Sequence, residues 1–314
     1  MSTFDDMIYA LGGVPVIGGM GEVALAGGKW YFCDPTLGSD SNDGKSPDHA
    51  KATLLAAYNL TRDGYNDGVI FIAGATAWNP AAAFDWAHSY THLIGTNALP
   101  GVGNRCRIVG LAATALTVPV TISGSGCLIK NIQFNNEYAT GAVGCALVTG
   151  SRNIFENCFF MTPSGASAAS YALKLTGSSE NLFHRCSIGQ ITNPRSAASY
   201  SLWITGSCLR NKFIKCEFSC WSTVSTHVLV KIATDVTSEG FVTQFEDCLF
   251  DNLNGGSDLA HAIVDGATET HHQIIMRGVN TVVGCSGFAD VVTYVFSNQP
   301  AIGNTWWTPT NPSN

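Results

Sequence analysis

The sequence predicts an all-β chain wound into a parallel β-helix, a solenoid with one strand set per coil. Three observations lead there: a recurring cysteine phrase, a second phrase in step with it, and a low-charge composition. The first phrase reads Phe155-Glu156-Asn157-Cys158-Phe159-Phe160, and recurs from Phe183, Phe213 and Phe245. Its cysteines, Cys158, Cys186, Cys216 and Cys248, are 28, 30 and 32 residues apart (158 to 186, 186 to 216, 216 to 248). A weaker copy begins at Ile129, and a further one lies around Met276 to Val279. Apolar residues at the first, fourth and sixth positions suit two short strands meeting at a bend. A period of this length marks a stacked supersecondary unit that buries its apolar face against its neighbours.

The second phrase reads Ala146-Leu147-Val148-Thr149-Gly150-Ser151, then Leu173 to Ser178, then Leu202 to Ser207. Val230 to Thr234 and Ala262 to Gly266 continue it more loosely. Alternating apolar residues make a half-buried strand, and Thr-Gly-Ser makes a turn. Only the connection from the cysteine phrase to the next Leu-x-Leu phrase lengthens along the chain. Strand, tight turn, strand and variable loop in each repeat describe a coil. The general preference for right-handed parallel crossovers sets its hand.

Composition agrees. Of 314 residues, 33 are glycine, 12% are charged and 46% hydrophobic, as expected of many short strands and turns around one long core. A solenoid grows by coils, so this length is compatible with a single domain. The net charge of -7 argues against a nucleic-acid footprint. No apolar run reaches the length of a membrane span. The first residues lack the basic start and apolar stretch of a secretory signal, which points to folding in the cytosol. Eleven cysteines, an odd number, fit buried thiols better than disulfides. Zinc would want closer cysteine pairs, and the nearest, Cys216 and Cys220, begins with a core position. No cofactor is expected.

The chain divides into an arm (1–30), a solenoid (31–296) and a tail (297–314). The arm is glycine-rich yet apolar and offers Phe4, Ile8, Tyr9, Leu11, Val14 and Val16 to another surface, or to the solenoid itself. Next comes Tyr31-Phe32-Cys33-Asp34-Pro35, then Gly38-Ser39-Asp40-Ser41-Asn42-Asp43-Gly44-Lys45-Ser46. A helix is expected at about 51–60, with Leu54, Leu55, Ala57 and Tyr58 able to plug the open core. Gly68 to Gly74 supplies an apolar first rung. These residues resemble the opening of the pectate-lyase-like right-handed β-helix proteins, in the versions found in bacteriophage tailspikes, fibres and capsid decorations. The resemblance covers residues 30–75 well and the later coils by pattern. It implies a scaffold rather than a reaction. Asp40, Asn42 and Asp43 have the spacing of turn residues; the acidic twelfth position of a calcium loop is Lys51 instead.

Catalysis on such a scaffold needs clustered outward carboxylates. The outward members of the cysteine phrase are Glu156 and Phe159, His184 and Ser187, Ile214 and Glu217, Glu246 and Leu249, with at most one acid per coil. The bend position runs Asn131, Asn157, Arg185, Lys215 and Asp247. The other strand's outward row is read as Val148, Lys174, Trp203, Lys231 and Val264, which holds no acid. The densest polar group is Asp251, Asp258, His261, Asp265, Glu269, His271 and Arg277, together with His272. Carboxylate, histidine and arginine suffice for acid–base work. Adjacent His271 and His272 on a strand would face opposite sides, which weakens a shared metal site.

Of seven tryptophans, Trp203 sits between Lys174 and Lys231 in the outward row and should show its ring to a loop, a sugar or another subunit. The uncharged tail ends in a proline- and asparagine-rich stretch carrying Trp306 and Trp307, either a solenoid cap or an interface anchor. The expectation is a non-enzymatic virion structural protein, a phage capsid decoration bound through its arm and outer faces. Its expected partners are the major capsid protein or other virion proteins and copies of itself in a homotrimer. The alternatives are a tailspike-type polysaccharide depolymerase or lyase, and a receptor module that grips host glycan.

Overall fold

The computed structural model describes residues 28–97, 106–138, 140–141, 143–161, 167–236, 242–254, 256–266 and 273–290, together with the strand Tyr294–Ser297. The phenylalanine and cysteine repeats do wind into a parallel β-helix with three sheets along its length. Among the described residues sheet A has ten strands, from Trp30–Cys33 to Tyr294–Ser297; sheet B has seven, from Arg107–Gly110 to Thr281–Val283; sheet C has eight, from Phe84–Trp86 to Cys285–Ala289. Every strand pairing is parallel and joins one coil to the next, as in Phe155↔Phe183↔Phe213↔Phe245↔Met276. A coil runs through sheet C (Gly144–Val148), sheet A (Ile154–Glu156) and sheet B (Phe159–Phe160), then by a loop to the next sheet C strand, Tyr171–Thr176.

Two of the corners are set by left-handed backbone. Between sheets A and B, Asn131, Asn157, Arg185, Lys215 and Asp247 have φ of 51° to 59°, and Gly278 continues the column at 63°. These are the bend residues read from the sequence. Between sheets C and A the column is Tyr90, Gly126, Arg152, Glu180 and Arg210, at φ of 54° to 70°. Left-handed backbone disfavours most L-residues. It is held here because corner N–H groups donate to carbonyls of the next coil, as from Asn157 N to His184 O (3.0 Å) and from Arg152 N to Ser179 O (2.9 Å).

The core follows from the stacking. Phe155, Phe183, Phe213 and Phe245 lie ring on ring at 4.6, 4.7 and 5.2 Å, and Phe134–Phe160 and Phe218–Phe250 stack at 5.0 Å. All are fully buried. Each repeat cysteine is buried beside them, its thiol donating to a main-chain carbonyl of the preceding coil, as from Cys186 Sγ to Phe155 O (3.4 Å). All eleven cysteines are free and buried. The sequence reading did not anticipate a buried polar column, Asn153, Asn181 and Asn211. There Asn181 Oδ1 accepts from Asn153 N (2.9 Å) and Asn211 Oδ1 from Asn181 N (3.0 Å). Its spacing of 28 and 30 residues was available as a signal (153 to 181, 181 to 211). Outside it, Arg152, Glu180 and Arg210 form an ionic ladder, with Arg152 Nε 2.7 Å and Arg210 Nη2 2.5 Å from the Glu180 carboxylate.

The capping helix is shorter than the expected 51–60: it spans Leu54–Tyr58. Lys51 belongs to a bridge with Cys33, and Thr53 starts the helix by accepting Ala56 N on its Oγ1 (3.1 Å). Leu54, Ala57 and Tyr58 are buried, and Tyr58 packs against Phe84, Trp86 and His88. Aspartates of the preceding loop are occupied by its turns: Asp34 accepts Thr36 N and Leu37 N, Asp43 accepts Lys45 N, and Asp40 holds Thr53 N and Oγ1. Two outward assignments need correction. Val148 points inward, fully buried opposite Leu175, and Leu147 takes its outward place beside Lys174. Glu156 and Phe159 face outward but are 8% and 2% exposed, Glu156 paired with Lys130 at 3.4 Å.

Candidate functional site

On the outer face of sheet C, strand register places Leu147, Lys174, Trp203, Lys231 and Val264 in one row across five coils. The strands put them there because Leu173, Leu175, Leu202, Ile204, Val230 and Ile232 take the inward positions and are fully buried. Beside this row, Tyr171 and Tyr200 occupy equivalent places and pair in register. Tyr171 meets Trp203 edge-on at 5.7 Å, and Tyr200 meets it at 5.2 Å with the planes tilted by 53°. Lys174 Nζ lies 3.9 Å from the centroid of the Trp203 ring and 5.9 Å from that of Tyr171. Tyr171 fits only because residue 144 is glycine: a Cβ there would stand 2.0 Å from the tyrosine ring.

Burial lowers the pKa of Lys174, partly offset by Asp235, and pushes the Tyr171 phenol up to about 12. Among the described residues neither Lys174 nor Lys231 forms a salt bridge with a carboxylate. The face therefore offers aromatic surface and two ammonium groups, that of Lys174 resting over the Trp203 ring. From Leu147 to Val264 the outward row holds no carboxylate; further along, it continues through Thr121 to Asp85, whose carboxylate accepts from Ser123 Oγ (2.8 Å). The sequence row pointed to Trp203 and its lysines. Tyr171 was overlooked, although Tyr171-Ala-Leu and Tyr200-Ser-Leu repeat at 29 residues (171 to 200).

The polar group late in the chain is spread over the three sheets. Asp251 lies on sheet B (Leu249–Asn252), His261 and Asp265 on sheet C (Leu259–Asp265), and Arg277 on sheet A (Gln273–Arg277). Asp258 is exposed on the loop between Asp251 and His261. Asp251 is 5% exposed, and its carboxyl is raised first by burial and further by Glu217. Glu269, His271 and His272 lie outside the described residues, as do Phe4, Ile8, Tyr9, Leu11, Val14, Val16, Trp306 and Trp307. Among the described residues no three histidines, cysteines or acids gather as metal ligands. One buried polar cluster escaped the sequence reading: His227, 0% exposed, with Nδ1 2.9 Å from Ser199 Oγ and Nε2 3.4 Å from Ser201 Oγ. Complete burial keeps this serine–histidine contact from any substrate.

No family model and no curated protein matches this sequence. Solved structures do resemble its fold. Pectin methylesterase PemA from Erwinia chrysanthemi superposes with a TM-score of 0.56 at 13% identity, over 85% of this chain and 80% of that one. The chain shares the right-handed parallel β-helix fold. A pectin methylesterase in complex with a hexasaccharide gives 0.54 at 12% identity, over 82% and 80% of the two chains. A rhamnogalacturonan lyase gives 0.51 at 16%, over 83% and 75%. These fold neighbours are polysaccharide-processing enzymes, and at such identity the likeness is one of fold.

Proposed function

We propose that this protein is a non-enzymatic structural component of a bacteriophage virion, a decoration protein that presents its β-helix faces to other virion proteins. The observation that carries the non-enzymatic part is the outer row of sheet C, which from Leu147 through Lys174, Trp203 and Lys231 to Val264 holds no carboxylate; Asp85, further along the row past Thr121, has no second acid beside it in register. Hydrolysis of a glycosidic bond needs two carboxyls flanking it. The outer row of sheet A, running Lys130, Glu156, His184, Ile214, Glu246 and Arg277, separates its acids by a histidine and an isoleucine. Support for the virion setting comes from the opening at residues 30–75, whose turn loop, short helix and first rung resemble those of phage β-helix proteins. In this reading the arm, with Phe4, Ile8, Tyr9, Leu11, Val14 and Val16, anchors the protein to the major capsid protein. Trp306 and Trp307 form a second anchor, and copies associate as a homotrimer.

The test is the copy number and position of the chain in purified particles, with and without residues 1–20. Many copies over the shell, lost on truncation, support a decoration protein held by its arm. A few copies at a tail tip favour the receptor or depolymerase reading. No association with particles overturns the virion assignment, and a polysaccharide-cleavage assay then decides for an enzyme.

A further inference from the structure

We propose that residues 17–27, the root of the N-terminal arm, lie as an extended segment over the outer face of sheet A, with Val23 and Leu25 seated on Ile94, Leu128 and Ile154. The virion reading uses the distal part of the arm, Phe4 to Val16, so this inference goes beyond it and stands without it. Sheet A carries two apolar surfaces. Its inward residues belong to the core, and on its outward side Trp30, Ile70, Ile94, Leu128 and Ile154 form a second, separate hydrophobic cluster. Ile94 and Leu128 are 4% and 3% exposed although they point away from the core. Among the described helices and strands, the main contacts of the strands that carry them are with their neighbours in the sheet. The outward rows of the other sheets begin with polar residues at this end, Asp85 and Thr121 on sheet C, Arg107 and Gln133 on sheet B.

The point of attachment selects the occupant. Gly28 is pinned to the solenoid, since a Cβ there would stand 1.7 Å from the Asn66 carbonyl oxygen, and Lys29 N donates to Asp67 Oδ1 (2.7 Å). The next residue, Trp30, is already a member of the outer cluster, so the arm is attached at the edge of the patch. The reach matches. Leu25 stands five residues before Trp30 (25 to 30), about 17 Å of extended chain, and Leu128 lies three strand spacings along sheet A, about 14 Å. Val23, seven residues before Trp30 (23 to 30), spans about 23 Å, enough for Ile154 at four spacings, about 19 Å. Val23 and Leu25 alternate with Glu22, Ala24 and Ala26, so an extended segment turns both to one face. Because it is tethered, this segment meets the face as an intramolecular partner, ahead of a second copy in dilute solution.

The face also presents two N–H donors in need of acceptors. His92 Nδ1 accepts from Leu128 N (3.1 Å), and burial lowers the pKa of the ring to about 4, so the neutral ring carries its proton on Nε2. Trp30 stacks on it at 6.4 Å, in space that a Cβ at Gly68 would occupy. Among the described residues neither Trp30 Nε1 nor His92 Nε2, both buried, finds an acceptor. The main-chain carbonyls of an extended segment supply acceptors there, which apolar side chains alone do not.

The experiment is disulfide trapping in the full chain, treated with diamide and read by mass spectrometry of cross-linked peptides. The native thiols are all buried and stay out of the reaction. Leu25→Cys with Leu128→Cys should cross-link within one chain at least roughly tenfold faster than Leu25→Cys with Lys212→Cys. Lys212 is exposed on the same sheet but six spacings from Trp30, about 29 Å and beyond the reach of residue 25. Should Leu128→Cys unfold, Val23→Cys with Ile154→Cys makes the same comparison. Val23→Asp with Leu25→Asp alters no solenoid residue, and should bare the cluster and raise the binding of a hydrophobic dye severalfold. The proposal is overturned if neither pair cross-links, if the Lys212→Cys pair reacts as fast, or if dye binding ignores the aspartates. Cross-links between chains, growing with protein concentration, overturn it in favour of a second copy on this face. Deleting residues 1–16 should leave the cross-link unchanged, so the virion anchor and this contact fail independently.

Discussion

Lys174 Nζ sits 3.9 Å above the ring of Trp203, one coil further along the helix, and the contact exists only because the two side chains share an outward register. The same register makes every stacked column of this protein. Its energetics are therefore those of ladders, in which one substitution disturbs two neighbours.

Removing one ring from the phenylalanine column should show this. Phe213 is fully buried between Phe183 at 4.7 Å and Phe245 at 5.2 Å. Phe213→Ala should destabilise the chain by about 3–5 kcal/mol through lost burial and the cavity left behind. Chemical denaturation is the check; a loss under about 1 kcal/mol would mean the column collapses to fill the gap.

The left-handed corners give a prediction of opposite sign. Lys215 adopts φ 53° at the turn between sheets A and B, where Gly278 stands in the same column at 63°. Lys215→Gly should stabilise by up to about 1 kcal/mol, because the relieved backbone strain exceeds the added chain entropy of the unfolded state. Lys215→Val should destabilise, and paired melting curves compare the two.

Thiol chemistry should report the intact core. Burial raises the pKa of Cys106, Cys127 and Cys208 and pushes Cys285 up to about 12. All eleven thiols are buried, and the thiol form is the unreactive one. A chromogenic disulfide reagent should find almost no reactive thiol in the native chain and eleven after denaturation. Rapid reaction of several thiols without unfolding would contradict the described core.

Acid should destabilise the fold through two buried histidines. Burial lowers His92 to about 4 and His227 to about 3, from 6.5. Below pH 6.5 the unfolded chain takes up protons that the folded chain refuses, so stability is complete above that pH and falls as pH drops toward 4 and then 3. Melting temperature against pH should show this decline, and His227→Gln should flatten its lower part. A profile unchanged from pH 7 to 4 would count against neutral buried imidazoles.

Much of this was legible in the amino-acid order. Phe155, Phe183, Phe213 and Phe245 mark the coil because an inward aromatic must recur wherever the chain crosses sheet A. Asn157, Arg185 and Lys215 mark the bend because one residue per coil must turn the backbone there. The short helix was also visible, although Thr53 and the bridge at Lys51 trim it to Leu54–Tyr58. Less legible was what depends on a shift of one residue. Val148 and Leu147 are both apolar, and only the pairing of Leu147 with Lys174 shows which faces out.

By itself the sequence determined the period, the inward columns and the absence of disulfide logic, because these are one-dimensional properties of a stacked chain. Only the tertiary structure decided which outward residues meet. It separated Asp251, Asp265 and Arg277 onto three sheets though they lie close in sequence, and it brought Tyr171, Lys174, Tyr200 and Trp203 together from successive coils. The physical reason is that a coil returns the chain to its starting edge after about thirty residues, so side chains one repeat apart touch while those a third of a repeat apart face different ways.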